Sequence, residues 1–161
     1  MDNQEVDRME KSLQRMLDWI KAIDTKTQIA LGLNVAMLGG LVAVTPKPES
    51  LNPAILGLLA LGGLLPFVSC TQCIRAFFPN TKGPGDSRIF FGAIANRSLS
   101  GFRQALAKET TETYGDDLSE QVYRNAEIAT GKYRMVKNAI LLQGMAVVPW
   151  LIVCYFLFKG F

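Results

Sequence analysis

The chain has 161 residues, 49% of them hydrophobic, and its 17 basic and 14 acidic side chains leave a formal net charge of +3. It contains no histidine, which removes the commonest acid/base group and metal ligand. No nucleophile with a partnered base, no phosphate loop and no dinucleotide fingerprint is visible. We therefore expect no enzyme, no metal site and no cofactor, and the interleaving of acids with bases argues against a nucleic-acid partner.

Charged residues are absent from three long stretches, 27–46, 50–74 and 138–158, and concentrated between them. Each stretch is long enough, as a helix, to cross about 30 Å of hydrocarbon. This distribution is typical of a multispan membrane protein. We predict an all-α fold whose transmembrane helices continue into a helical bundle. The predicted segments are a juxtamembrane helix at 1–27, spans at 28–46, 54–77 and 138–158, and a polar sensing segment at 78–137.

The first segment has apolar residues at alternating gaps of three and four, the spacing of a helix that packs along a narrow seam. Such a seam can lie within one chain or between protomers. No Pro or Gly separates it from the first span, so we predict one continuous helix from about Gln4 to Val44. The seam residues are Val6, Met9, Leu13, Met16, Ile20 and Ile23.

Small residues stand four apart in the first span, at Gly32, Ala36 and Gly40. A stripe of this kind lets another helix approach closely in lipid, and together with the seam it favours a homo-oligomer. Asn34 is a polar residue in the same span, and we expect it to hydrogen-bond between helices rather than to form a transport site.

The polar segment between the second and third spans opens with a compact aromatic element, 88–95, whose phenylalanines either pack against the bundle or line a small site. Ser98 or Ser100 is placed to cap a helix that runs to about Thr113. Gly115 is expected to turn the chain back towards the membrane.

From Asp116 the chain is predicted to form a polar helix that continues without a break into the third span. Its apolar side chains fall at gaps of three and four and define one helical face. The residues assigned to this face are Leu118, Val122, Ala126, Ala129, Tyr133 and Val136.

The distribution of Lys and Arg along the chain predicts its orientation in the membrane. Five precede the first span and ten lie between Arg75 and Lys137, whereas the short loop after the first span and the carboxyl tail hold one each. By the positive-inside rule the amino terminus and the central segment are cytoplasmic and the carboxyl terminus lies outside. The expected location is a membrane that the chain crosses several times.

Three stretches in a fixed order carry a resemblance: Asp24-Thr25-Lys26 before the first span, the run from Arg88 to Ala95, and Asp117 through Gln121 to Lys132-Tyr133. They resemble the transmembrane effector family of Pycsar, a bacterial anti-phage system. The resemblance implies a membrane protein that senses a cyclic pyrimidine nucleotide, cCMP or cUMP, made by a partner cyclase after infection, and then impairs the inner membrane. The family often has an acid where this chain has Ala93.

A cyclic mononucleotide needs a cation for its phosphate, polar groups for its edges and an aromatic wall. Asp24 and Lys26 are candidates for juxtamembrane residues that couple the polar helices to the spans. For Lys132 a ligand role and a salt bridge with Asp24 are alternatives. The candidate ligand contacts are Arg88, Arg124 and Lys132 for the phosphate, Gln121 and Asn125 for the edges, and Phe90, Phe91, Tyr123 or Tyr133 for stacking.

Two other functions fit the residues less well. A constitutive membrane scaffold would bind no nucleotide. A small channel or transporter would need polar residues facing each other inside the membrane, and only Asn34 and Gln143 offer themselves.

Overall fold

The computed structural model describes residues 2–45, 53–78 and 83–159. Within these ranges the chain is helical and has no strand, which confirms the predicted all-α fold. The helices are α1 (Asn3–Val44), α2 (Pro53–Phe77), α3 (Phe91–Ala95), α4 (Leu99–Ala107) and α5 (Thr111–Lys159).

Three helices, α1, α2 and α5, are long and apolar enough to cross a membrane. Helix α1 has 42 residues and α5 has 49, so each is roughly twice the length that a bilayer requires. Neither helix is interrupted between its polar and its apolar part. The predicted continuity of the first and third spans with polar helices is therefore confirmed.

The described residues form two compact units. The polar unit comprises 2–22 and 83–131, and the apolar unit comprises 23–45, 53–78 and 132–159. Helices α1 and α5 each have one part in the polar unit and one part in the apolar unit.

The apolar unit is held by small side chains and by hydrogen bonds between its helices. Ala30, Cys73 and Ala139 are buried together at its core. Beside them, Asn34 Nδ2 donates to Ser69 Oγ at 2.7 Å, and Ser69 Oγ donates to the carbonyl oxygen of Ala139 at 2.8 Å. The expected interhelical role of Asn34 is confirmed, because this chain of bonds joins all three spans.

Trp150 forms another interhelical hydrogen bond in the apolar unit. Its Nε1 donates to the carbonyl oxygen of Met37 at 2.8 Å, and its ring lies 3.2 Å from where a Cβ on Gly40 would stand. Gly40 thus permits the close helix approach that the small-residue stripe predicted. Gly32 and Ala36, by contrast, are exposed within the chain, so the predicted homo-oligomeric contact through them stays a prediction.

The polar unit packs the start of α1 against the later helices. All described seam residues that lie in this unit, from Val6 to Ile20, are half-buried, so the seam is used within one chain. Leu118 is 1% exposed and forms the core on α5. Ser98 caps α4, because its Oγ accepts from the amide of Gly101 at 3.1 Å, as predicted.

The predicted turn at Gly115 is wrong. Helix α4 ends at Ala107 instead of near Thr113, and α5 begins at Thr111, so that Gly115 lies buried inside a helix. Thr110 and Thr113 explain the early start: the amide of Thr113 donates to Thr110 Oγ1 at 3.2 Å and the amide of Thr110 donates to Thr113 Oγ1 at 3.0 Å. This reciprocal capping outweighs the moderate helix penalty of one glycine.

The position of Tyr133 on the buried face of α5 is also wrong, since its side chain is 60% exposed. Buried residues of α5 recur every seven positions, as at Ala139, Ala146 and Val153. That 3.5-residue period is the signature of coiled-coil packing. Extended back towards the amino terminus, it brings Lys132 into register with Leu118 and leaves its neighbour Tyr133 outside.

Candidate ligand site

Ser87 joins the loop before α3 to α5. Its Oγ accepts from the amides of Ile89 at 3.1 Å and Phe90 at 2.8 Å, and from Gln121 Nε2 at 3.1 Å. Both Ser87 and Gln121 are buried. One hydroxyl therefore fixes the direction of the loop and orients the amide of Gln121, which sequence reasoning had assigned to a nucleotide edge.

Asp117 provides a second link between this loop and α5. Its Oδ2 accepts from the backbone amide of Arg88 at 2.7 Å, and the residue is only 8% exposed. Its other oxygen, Oδ1, is buried without a hydrogen-bond partner among the described residues. The sequence marked Asp117 only as part of a motif, because a contact 29 residues away along the chain leaves no local signal.

Phe90 and Phe91 take different roles. Phe90 lies on two glycines, since a Cβ added at Gly83 or Gly92 would stand 2.6 Å from its ring. Its ring therefore packs, which is one of the two alternatives that the sequence left open. The Phe91 ring centroid is 4.8 Å from that of Phe90, but Phe91 is 68% exposed and is free to contact a flat ring.

Tyr123 and Arg124 share an open cleft of about 430 Å³ on α5 with Gly83, Pro84 and Glu120. Arg124 Nη1 lies 2.7 Å from Glu127 Oε2, so part of its charge is already compensated. Asn125 Nδ2 donates to the carbonyl oxygen of Gln121 at 2.8 Å, within the same helix. Of the residues predicted here, the structure brings an aromatic ring and a guanidinium to one cleft, while the two amides bond inside the protein.

The remaining predicted residues belong to the apolar unit. Lys132 Nζ lies 2.5 Å from Asp24 Oδ1, with side chains 14% and 32% exposed. The salt bridge that was one of two alternatives for this pair is thus present. Tyr133 and Lys26 are exposed.

Sequence reasoning missed a second groove, of about 540 Å³, in the polar unit. Arg88, Arg97 and Lys108 line it together with one acid, Asp86. Arg97 Nη2 donates to the Asp86 carbonyl oxygen at 2.8 Å and also pairs with the Asp86 carboxylate. A hint was present in the sequence, since Gly101, Ala105 and Lys108 are spaced to lie on one face of a helix.

Among residues 2–45, 53–78 and 83–159 no group of His, Cys, Asp or Glu side chains is arranged to hold a metal ion. The site is therefore described by its cations, amides and rings.

A family model described as the Pycsar effector protein domain matches residues 8–159, which is nearly the whole chain. The chain belongs to this family. A similar protein is the Pycsar effector protein GmPycTM of Gulbenkiania mobilis, which is 25% identical over an alignment that covers 81% of each chain. No solved structure matches the chain. Membership confirms the resemblance and supports an effector role in anti-phage defence.

Proposed function

We propose that this Pycsar effector is a nucleotide-gated membrane protein. Its polar unit binds a cyclic pyrimidine mononucleotide, such as cCMP or cUMP, that a partner cyclase makes after infection, and binding changes the packing of the spans so that the inner membrane is impaired. The observation that carries the proposal is the family match from residue 8 to residue 159, which includes both the polar helices and all three spans.

The chemistry of the polar unit supports a nucleotide of this kind. A mononucleotide offers one flat base and one negative phosphate. The unit presents exposed rings at Phe91 and Tyr123, the guanidinium group of Arg124 in the same cleft as Tyr123, and that of Arg88 in the second groove. Cavities of 300 to about 1,000 Å³ are typical of small-ligand sites, and the clefts here fall within that range. In this proposal Gln121 and Asn125 support the site from within, because their amides are bonded inside the protein.

The orientation belongs to the same proposal. The excess of Lys and Arg in the polar segments supports a polar unit in the cytoplasm, where the product of a cyclase would accumulate, and a carboxyl terminus on the outer side. Ligand binding can change the spans only if the two packings, or two oligomeric states, differ in affinity for the nucleotide. The exposed Gly32 and Ala36 surface is the contact that we propose for the homo-oligomer.

The decisive experiment is dye release from liposomes of bacterial lipid that contain the full chain. We expect cCMP or cUMP to release the dye and to raise the melting temperature of the detergent-solubilised protein, and cAMP and cGMP to do neither. Lipid-only vesicles and vesicles with heat-inactivated protein serve as controls.

The same assay separates the alternative function. A constitutive scaffold would show no thermal shift and no release with any cyclic mononucleotide, and that outcome would refute the proposed function. Release without added nucleotide would point to a pore that is always open and would contradict gating.

A further inference from the structure

The groove lined by Arg88, Arg97 and Lys108 lies apart from the Tyr123 and Arg124 cleft and has an excess of positive charge. Its lining contains three cations and a single carboxylate, Asp86. Arg97 is paired with Asp86 and Arg88 with Glu109, so Lys108 is the cation of this groove that has no ion pair among the described residues. A bound anion would compensate this remaining charge.

Two guanidinium groups in this groove have hydrogen-bonding capacity left over. Arg97 uses Nη2 for Asp86, but its Nη1 is buried and has no hydrogen-bond partner in the described part of the chain. Arg88 makes a long 3.4 Å contact from Nη1 to Glu109, and its Nε is likewise buried and unpaired among the described residues. A buried donor without an acceptor is unfavourable, so each of the two guanidinium groups favours a further hydrogen-bond acceptor.

The other predicted phosphate ligands do not line this groove, and each is paired with a carboxylate elsewhere. Arg124 pairs with Glu127 and Lys132 pairs with Asp24. Of the cations expected to meet the phosphate, only Arg88 lines this groove.

We propose that this groove binds the phosphate of the ligand, with Arg97 as its principal contact and Lys108 and Arg88 completing the charge. The assignment rests on the proposed function, because it places the phosphodiester of the cyclic nucleotide here. A cyclic phosphodiester carries one negative charge and two non-bridging oxygens, which match the planar fork of a guanidinium. Ser98 and Gly101 also place the positive end of α4 at the groove.

Specificity can come from the same face of α4. Gln104 lines the groove one turn from Gly101, and its amide offers both a donor and an acceptor to a ribose hydroxyl or a base edge.

The test compares three variants of the full chain in detergent. Lys108→Gln removes a charge that has no described partner, and Arg97→Lys keeps the ion pair with Asp86 while removing the fork. Arg103→Gln is the matched control, because it removes the same charge from an exposed position of α4 that does not line the groove. Circular dichroism and melting temperature report whether each variant is folded.

Calorimetric titration with cUMP and cCMP, and with uridine and cytidine as phosphate-free probes, gives the readout. We expect Lys108→Gln to weaken cyclic-nucleotide affinity about tenfold and Arg97→Lys by about as much, with a change of less than about twofold in Arg103→Gln. The affinity of the wild type should fall with added salt more steeply than that of Lys108→Gln.

The outcomes separate this inference from the function on which it rests. If the wild type binds a cyclic nucleotide and both groove variants bind it equally well, the groove assignment is overturned and the function stands. An equal loss for uridine or cytidine would also overturn it, because the groove would not be reading phosphate. If no cyclic nucleotide binds, but inorganic phosphate raises the melting temperature of the wild type and not of Lys108→Gln, the proposed function fails and the groove is overturned as a nucleotide site, while its role as a phosphate site stands. Binding of neither probe refutes both.

Discussion

The ion pair between Lys132 and Asp24 offers the sharpest test of a residue that has two possible roles. If Lys132 serves only to join α5 to α1, exchanging the two charges should restore the unfolding stability that each single substitution lowers. If Lys132 contacts the nucleotide, the reversed pair should recover stability but not affinity. The perturbation is therefore a double-mutant cycle of Asp24→Ala, Lys132→Ala and the two combined. A further variant, Asp24→Lys with Lys132→Asp, exchanges the two charges.

The structure sets the expected size of the effect. The two charged atoms are 2.5 Å apart, and the side chains are 14% and 32% exposed, so the pair lies between a surface and a buried salt bridge. Exposed pairs contribute up to about 1 kcal/mol, and removing one partner of a buried pair costs about 3–5 kcal/mol. We expect either alanine variant to lower the free energy of unfolding by about 2 kcal/mol, with a coupling energy of similar size.

The assay is denaturant unfolding of the full chain in micelles, followed by nucleotide titration of each folded variant. Lys26→Ala is the control, because it removes the same charge from an exposed position two residues after Asp24. The reversed pair should recover most of the lost stability, and Lys132→Ala should keep its affinity within about twofold. A reversed pair as unstable as the single variants would refute the structural role, and so would a tenfold loss of affinity in a Lys132→Ala protein of normal stability.

Three further predictions concern other contacts. Asp117→Ala should speed hydrogen exchange of the amide that it holds by about 30-fold, since a hydrogen bond to a charged group contributes about 2 kcal/mol, whereas exchange should be unchanged in Asp116→Ala, whose acid is exposed. Asn34→Ala should lower unfolding stability in micelles by about 1 kcal/mol through loss of an interhelical bond. The hydrogen bond to Glu10, with burial, raises the pKa of Tyr114 to about 12; its contribution to stability should be complete below pH 10 and fall as pH approaches 12, and ultraviolet titration should lose one late-ionising tyrosine in Tyr114→Phe.

Hydropathy and helix continuity could be read from the sequence because both depend on local composition. A charge-free run of about 20 residues has few alternatives to a span, and the polar parts of α1 and α5 contain no Pro that would end the helix before the span. The errors came from competition between local signals. Gly115 suggested a turn, but the threonine pair at Thr110 and Thr113 starts the helix earlier.

The site was predicted less completely, because its contacts join distant parts of the chain. Lys132 could be paired with Asp24 by counting residues back from the membrane along two predicted helices. Residue counting cannot predict the position of Arg97 and Lys108 in the same way. They line one groove with Arg88 only because α4 folds back beside the loop before α3. The role of Ser87 depends in the same way on Gln121, 34 residues away.

The hydrogen bonds between the spans limit how a ligand of the polar unit could change their packing. Asn34 to Ser69, Ser69 to Ala139 and Trp150 to Met37 are three such bonds. Interhelical hydrogen bonds in membranes contribute about 0.6 kcal/mol on average and about 1.7 at most, so breaking all three costs roughly 2–5 kcal/mol. A ligand typically supplies about 1–3 kcal/mol of coupling.

At the average strength of these bonds, about 2 kcal/mol of coupling from one bound ligand offsets the loss of all three; at their greatest strength the same coupling offsets only one. In the second case the remaining free energy must come from new contacts or from several protomers acting together. Asn34 Oδ1, which is buried and unpaired among the described residues, offers an acceptor for one such new contact. An assembly in which several bound ligands act on one membrane structure would supply that larger free energy, and gating should then become steeper as the number of protomers rises.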